Sequence, residues 1–394
     1  MAALKSLLTI AVFVMSLGLA AASKKILVFG GNGLLGSATV DQLLTNADHE
    51  VTIANRGNWY WDSQTRILPR VSHVKCDRSH ENPREACSDL IDLIQATSHF
   101  DAVYDFSAFG PNETESALSM LKGKFGVYVL ISTDSIYDVC ETERGAPATE
   151  DEDNRPSDEI ERAQLAQHHA YGHNKLAAEE ILKNHGVPHV IFRLPDVLGP
   201  RDTTHRFWIY QLWIKLQPYF EEHPVKVPYF LHDYALSFVY VDDVAKVLTE
   251  ILSHDNEAVM NQAFNLAWPK SITLEKLIRT IQAEIDSTKK TGPAIDDKGT
   301  TSYFYPSVRR GPISTEKAEQ TLDWKPTPFE TAIRESVAFY ERAMKDEKFV
   351  KQRNEIIQIV HAQLFYNDSM KFYEKLEELY DIDLREFMLV KDEL

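Results

Sequence analysis

One stretch, Lys25–Gly36 with the sequence KILVFGGNGLLG, constrains this chain more than any other. Ile26 to Phe29 is continuously apolar, as a strand buried on both faces must be. The run stops at glycines, and Gly30, Gly33 and Gly36 recur every third residue as a helical pattern opens at Ser37. Strand, glycine turn and helix in that order let backbone approach a dinucleotide pyrophosphate, with no Cβ in the way and helix amides facing the phosphates. Asn32, Leu34 and Leu35 share the turn and are expected on the cofactor beside the glycines. A glycine turn in any α/β protein would look similar, so later residues must decide.

The two ends of the chain carry addresses. Lys5, the apolar run Leu7–Leu19 and Ala20–Ala22 read as a secretory signal peptide over residues 1–22. Lys391-Asp392-Glu393-Leu394 reads as a retrieval signal recognised by a KDEL-type receptor. Together they predict the endoplasmic reticulum lumen, where the sequons at Asn112 and Asn367 become glycosylation sites. No later apolar run is long enough for a membrane span. A formal net charge of -17 argues against a nucleic-acid partner, because phosphates would be repelled. Cys76, Cys87 and Cys140 are too few for a disulfide scaffold, and we expect buried small side chains.

Glu50–Ala54 reads as a second strand, ending at Asn55-Arg56-Gly57. A site for NAD usually places a carboxylate here, about 20 residues past the glycines, to accept from the ribose hydroxyls. Neutral Asn55 followed by Arg56 instead removes the repulsion of a 2′-phosphate and offers it a guanidinium, which favours NADP over NAD. An arginine stacked on adenine would leave that choice open. A third strand, Ser72–Lys75, delivers Asp77 and Arg78, and Asp77 can accept from the adenine amino group. A fourth, Phe100–Phe106, delivers Ser107 and Ala108, small enough for a cofactor to pass close by. Helical patterns at Ala38–Leu44 and Leu90–Ala96 alternate with these strands. The predicted fold class is therefore α/β: a Rossmann-like doubly wound parallel sheet binding ligands at its carboxyl edge, with a smaller C-terminal substrate lobe.

A fifth strand, Val127–Ile131, brings Thr133 and Asp134 to that edge. Downstream, Tyr171 and Lys175 sit four residues apart on one face of a helix. A phenol is a poor acid or base at neutral pH, and a nearby ammonium would lower its pKa. Thr133 could hydrogen-bond the reacting oxygen and hold its carbon in place. The glycines, Asp77, Thr133 and the Tyr171/Lys175 pair, in that order, resemble the extended short-chain dehydrogenase/reductase superfamily, the NAD-dependent epimerase/dehydratase group. Arg193–Asp202, Phe238–Ala245, Phe264–Ala267 and Leu322–Pro326 add to the resemblance, which spans about Lys24 to Tyr340. Within it, Asn55–Gly57, Cys76–Arg78 and Gly199–Asp202 with Arg206-Phe207 most resemble a bacterial branch related to chloroplast stem-loop-binding proteins.

The resemblance implies an NAD(P)-dependent oxidoreductase or epimerase acting on a secondary alcohol or ketone, such as a nucleotide sugar. Tyr171 would be the acid/base, Lys175 would tune it and bind the nicotinamide ribose, and Pro195 would join the cofactor-binding set. Thr133-Asp134 also resembles sugar-nucleotide 4,6-dehydratases, but Ser135 stands where those enzymes carry a second carboxylate. Asp134 is then either catalytic or a turn cap. A non-catalytic dinucleotide-binding or RNA-binding protein is the rival reading; retention of Tyr171 and Lys175 and the acidic charge weigh against it. Dimerisation through the Tyr171 helix is common in the superfamily.

The expected organisation is a signal peptide (1–22), a dinucleotide-binding domain (23–193), a substrate lobe (194–340) and a helical tail (341–394). Trp208, Tyr210, Trp213, Tyr219 and Phe220 would form the lobe's core, with one or two of them reaching the ligand. His168, His169 and His173 lack further ligands at metal spacing, so no metal is expected. Glu150–Glu161 reads as a solvated acidic loop. The tail reads as two helices broken near Asn367-Asp368.

Overall fold

A computed structural model describes residues 23–384 apart from 47, 142–145, 254–256, 289–291 and 309. The signal peptide and the retrieval tetrapeptide lie outside the described residues. The strands are β1 (Lys25–Phe29), β2 (Glu50–Asn55), β3 (Ser72–Lys75), β4 (Phe100–Asp105), β5 (Phe125–Thr133), β6 (His189–Leu194), β7 (Asp196–Leu198), β8 (Lys226–Pro228), β9 (Phe238–Tyr240), β10 (Gln262–Asn265) and β11 (Ala294–Asp296). Seven of them form one sheet in the order β10-β6-β5-β4-β1-β2-β3. Every pairing in it is parallel. Strand order reverses between β1 and β4, which opens the crevice where doubly wound sheets bind ligands.

Why β1 is apolar throughout is visible in its packing. Ile26 and Val28 join the core on one face of the sheet, Leu27 and Phe29 the core on the other. A third core fills the C-terminal lobe around the helix Arg206–Leu216, of which only Arg206 and Lys215 are not buried. Trp208, Tyr210, Trp213 and Phe220 all belong to this core, and none lines the clefts described below. The expectation that an aromatic of this set reaches ligand is therefore corrected: the helix is apolar around its whole circumference and is swallowed by its neighbours. The tail forms two helices, Val350–Leu364 and Ser369–Tyr380, whose Ile356, Val360, Phe372 and Leu376 complete the same core.

Two further expectations need correction. Cys76 and Cys87 are joined in a disulfide that closes an 11-residue separation, while Cys140 stays free and buried. The end of β3 and the start of the helix Ser88–Ala96 bring the two Cα atoms within 4.2 Å, a proximity that composition cannot reveal. Burial pushes the Cys140 thiol up to about 12. The stretch from Glu150 is also no solvated loop. Glu150 is buried and accepts from the Asn265 amide at 2.7 Å. Asp153 accepts from Arg193 and Lys183, both at 2.7 Å, and Arg155 pairs with Glu180 at 2.6 Å.

These contacts belong to a buried network that fixes the helix Ala170–Asn184. Arg193 on β6 and Glu179 on that helix are both fully buried and paired at 2.7 Å. Glu179 also accepts from Ser132 on β5 at 2.5 Å, and Arg193 donates to the Glu150 carbonyl at 2.8 Å and to the Tyr137 hydroxyl at 3.1 Å. Tyr137 in turn donates to Asn265 on β10 at 2.8 Å. Removing one partner would leave a buried charge uncompensated. Glu179→Leu is expected to lower unfolding stability by about 3–5 kcal/mol, measured by urea denaturation; a loss below about 1 kcal/mol would show that the pair is only peripheral.

Candidate active site

The carboxyl edge of the sheet carries two adjoining pockets of about 370 and 490 Å³. Leu34, Leu35, Phe106, Phe109, Ile131 and Thr203 line both, so they form one continuous cleft. The first pocket is walled by Gly30, Asn32, Gly33, Gly36, Asn55, Arg56, Asp77, Arg78 and Ser107. The second contains Thr133, Asp134, Tyr171, Lys175 and Pro195.

The glycine turn fits a phosphate cradle. Gly30 has φ +79, a left-handed conformation that side chains rarely adopt. A Cβ on Gly36 would lie 2.5 Å from the Gly30 carbonyl oxygen, so the helix Leu34–Asn46 can start this close only with glycine there. A Cβ on Gly33 would meet nothing within 4 Å, which marks open cleft. Asn32 donates its side-chain amide to the Asn58 carbonyl and ties the turn to the loop after β2.

Asn55 ends β2 with its Oδ1 accepting from the Gly57 amide at 2.7 Å and 2.9 Å from His73 Nε2. Its buried Nδ2 has no partner. A buried donor left unmade is costly, and a ribose or phosphate oxygen in the cleft would satisfy it. Arg56 is exposed at the same mouth. Asp77 accepts from the Ser79 side chain and amide, which with Arg56 hold its pKa below the usual range although partial burial opposes the fall.

Arg78 lines the first pocket, as expected of a residue at the cofactor edge. Its guanidinium is fully engaged inside the floor of the first pocket. It grips Asp105 at 2.6 and 2.7 Å, donates to the Ser107 hydroxyl at 2.8 Å and stacks over Phe29 at 4.1 Å. Tyr128 also donates to Asp105. Paired with Asp105, Arg78 shapes the floor and holds Ser107. Ala108 is corrected: it is buried behind the wall, and Phe109, 59% exposed, faces the cleft at the junction.

Tyr171 and Lys175 lie on one face of the helix Ala170–Asn184, with Gly172 between them pressed against β5's exit. A Cβ there would sit 2.1 Å from the Ser135 carbonyl oxygen. The Lys175 ammonium is buried and donates to the carbonyls of Ala108 at 2.7 Å and Ile131 at 2.6 Å. Burial lowers its pKa to about 8, although Asp105 and Glu179 oppose the fall. An ammonium has three donors, so one is left for a ligand.

The expected lowering of the Tyr171 phenol by this ammonium does not occur. Tyr171 is 51% exposed as a residue, yet the surroundings of its hydroxyl desolvate it. Desolvation and then the Asp134 charge raise its pKa, against a hydrogen bond with Thr133. The ammonium faces backbone carbonyls behind the phenol, which is why its influence is absent.

Asp134 is 5% exposed and lies 3.3 Å from the Thr133 hydroxyl. Desolvation, then Asp196 and Asp138, push its carboxyl well above the ordinary range. It is therefore neither a solvated turn carboxylate nor a helix cap; Thr133 performs that capping, accepting from the Ser135 amide at 3.2 Å. Asp138, one turn later, sits 3.7 Å from His169. His173 contacts Arg155 at 2.9 Å and His168 the Gln164 carbonyl at 2.8 Å. Sequence reasoning missed Phe109, Asp138 and the Asp196–Arg206–Ser307 group. Asp138 left a trace four residues after Asp134, and Asp196 and Arg206 lie within motifs of the family resemblance, but nothing in the sequence pairs them.

A doubly wound sheet with a glycine cradle, and a Thr/Tyr/Lys set in the adjoining pocket, defines a dinucleotide-dependent oxidoreductase class. The NAD dependent epimerase/dehydratase family matches residues 26–267, and the chain belongs to that family. It is thereby an NAD-dependent enzyme of the oxidoreductase and epimerase type. UDP-glucuronic acid decarboxylase 5 of Arabidopsis thaliana is 23% identical over 313 residues, covering 77% of this chain and 84% of that protein. Among solved structures, dTDP-glucose 4,6-dehydratase of Bacillus anthracis str. Ames, in complex with NAD, matches with TM-score 0.61 and 19% identity, covering 84% of this chain and all of that one. UDP-glucose 4-epimerase of Thermotoga maritima, with UDP-glucose, gives 0.62 and 17%, covering 82% and 100%. At these identities the solved structures establish a shared fold.

Lys175 supplies a pH test. Below its folded pKa of about 8 the ammonium is present to donate to a ribose hydroxyl; above it the proton is lost. Dinucleotide affinity of the cofactor-free protein is expected to fall as pH rises through about 8. Calorimetric titrations showing no change between pH 7 and about 9.5 would remove Lys175 from cofactor binding.

Proposed function

We propose that this chain is an NADP-preferring oxidoreductase or epimerase of the endoplasmic reticulum lumen, acting on a secondary alcohol or ketone of a nucleotide sugar. One observation carries the reading: Thr133, Tyr171 and Lys175 line the second pocket, which is continuous with the pocket walled by the glycine turn. The nucleotide-sugar class is suggested by the relatives, whose names specify UDP- or dTDP-linked sugars.

Residues of the first pocket would hold the dinucleotide, which when bound supplies hydride acceptance and return. The amides of the glycine turn would face its phosphates, Asn55 Nδ2 and Arg56 its adenosine ribose, and Lys175 its other ribose. Thr133 and Tyr171 would share the substrate oxygen. Tyr171 rests protonated, because desolvation and Asp134 raise its pKa, and so can donate to a carbonyl oxygen and recover the proton in reverse. Preference for the phosphorylated cofactor rests on Arg56 at the mouth and on Asn55 where a repelling carboxylate would otherwise stand.

A dehydratase-like course is the second reading, favoured by the buried Asp134 carboxyl beside Thr133 and Tyr171. A product lighter by one water in mass spectrometry would distinguish it from an epimer of unchanged mass. The lumenal location is supported by both terminal addresses and by the Cys76–Cys87 disulfide, which suits an oxidising compartment. Asn112 and Asn367 are both exposed, as glycan acceptors must be.

Two measurements test the reading. Tyr171→Phe should retain cofactor binding and lose about 100-fold or more in turnover; undiminished turnover would take Tyr171 out of the chemistry. NADPH should bind at least about tenfold more tightly than NADH, with Arg56→Ala erasing most of the difference. Tighter NADH binding would reverse the cofactor assignment.

A further inference from the structure

One segment of the nucleotide half crosses into the other. The loop after β2 runs past Asn58 and Tyr60, which line the first pocket, and then sends Trp61 into the core of the C-terminal lobe. There the Trp61 ring packs against Phe349 at 5.4 Å, Trp208 at 5.5 Å and His205 at 6.0 Å, and its Nε1 donates to the Asp202 carbonyl at 3.3 Å. Asp62 follows at the N-cap of the short helix Ser63–Arg66, where a carboxylate ordinarily accepts from the first helical amides. Its side chain makes no such bond. It takes the Arg201 guanidinium instead, in a two-bond fork with Nε at 2.7 Å and Nη2 at 3.0 Å, while Arg66 at 3.3 Å and Lys348 at 3.9 Å stand beside it.

The segment so gripped, Gly199–Arg206, forms a wall of the second pocket. Asp202, Thr204 and Arg206 line that pocket and Thr203 lines both, whereas Asp62 and Arg201 line neither. The wall is held in conformations it would not keep unaided. Arg201 has φ 69° and His205 φ 59°, and Trp61 on the gripping side has φ 52°. Three residues with a Cβ in the left-handed region, gathered in one cluster, persist only where their surroundings impose the conformation, and such clusters fall at ligand sites. Two of the imposing contacts, the fork on Arg201 and the Trp61 bond to Asp202, come from the nucleotide half. The lobe itself adds Tyr340, whose hydroxyl accepts from the Asp202 amide at 3.0 Å and donates to the Gly199 carbonyl at 2.8 Å.

We propose that Asp62 is a positioning residue: its fork on Arg201 holds the Gly199–Arg206 wall in the conformation that presents Asp202, Thr203, Thr204 and Arg206 to the substrate. The shape of the second pocket then depends on the loop that borders the first. The substrate side of this proposal rests on the nucleotide-sugar reading above; the hold on the wall does not.

The test uses the chain from Ser23 to Leu394 and its Asp62→Asn variant, which keeps the shape of the group but cannot accept from both guanidinium donors. Hydrogen exchange read by mass spectrometry should be at least about tenfold faster in the variant for the peptide carrying the Asp202 and Thr204 amides, with β5 unchanged. Unchanged exchange of that peptide in the folded variant would overturn the proposal. Calorimetry then compares ligands on protein saturated with NADPH or NADH. Whichever of UDP-glucose and dTDP-glucose binds the parent chain should bind the variant at least about fivefold more weakly, while dinucleotide affinity changes by less than about twofold. A purely structural loss would lower stability without that split, so equal changes for both ligands, or none for either, would overturn the positioning role. If neither sugar nucleotide binds the parent chain, the nucleotide-sugar reading fails and the exchange result alone decides whether Asp62 holds the wall. Should Asp62→Asn not fold, Arg201→Lys keeps the charge but loses the fork and is expected to show the same faster exchange; unchanged exchange there would equally reject the pair.

Discussion

The Arg193–Glu179 ion pair is the constraint on which the active site depends. Both side chains are fully buried, and a charge in that position is tolerable only when every donor and acceptor is met. Meeting them draws in four separate parts of the chain: Ser132 at the end of β5, Tyr137 in the following turn, Glu150 and Asp153 from the long connection, and, through Tyr137, Asn265 at the end of β10. The catalytic helix cannot slide along the sheet without breaking several of these bonds. Tyr171 and Lys175 therefore inherit their positions from a pair whose Glu179 lies one turn beyond Lys175 on the same helix, while Thr133 inherits its own through the neighbouring Ser132.

A second buried pair, Arg78–Asp105, plays the equivalent part beneath the dinucleotide pocket. It links the exits of β3 and β4, and through Ser107 it sets the floor on which an adenosine would rest. The disulfide at Cys76 closes the loop that carries Asp77 and Arg78. Covalent closure of the chain and a desolvated ion pair thus hold the same edge of the cleft from opposite sides. The two pairs divide the site as the two pockets do: one orders the cofactor end, the other the reacting end.

Much of this was legible before any coordinates. The parallel sheet follows from apolar strand runs that alternate with helical patterns, and β1 shows why: consecutive side chains enter different cores, so none can be polar. The Thr133, Tyr171 and Lys175 set was legible because four-residue spacing on a helix fixes a shared face. What escaped the sequence were pairings between distant segments. The strand end places Arg78 at the cofactor edge, but its pairing with Asp105, 27 residues away, leaves no trace in the sequence. Glu150 and Asp153 read as a solvated acidic run until Arg193 arrives from another strand. Cys76 and Cys87 read as isolated thiols because loop closure depends on where a strand and a helix start, not on composition.

The direction of the Tyr171 shift shows what such pairings mean for chemistry. Spacing alone places an ammonium next to a phenol and implies a lowered pKa. In the fold, two carbonyls take that ammonium, while Asp134 and desolvation act on the phenol in the opposite sense. The site therefore favours the protonated form of the Tyr171 phenol and of the Asp134 carboxyl beside it.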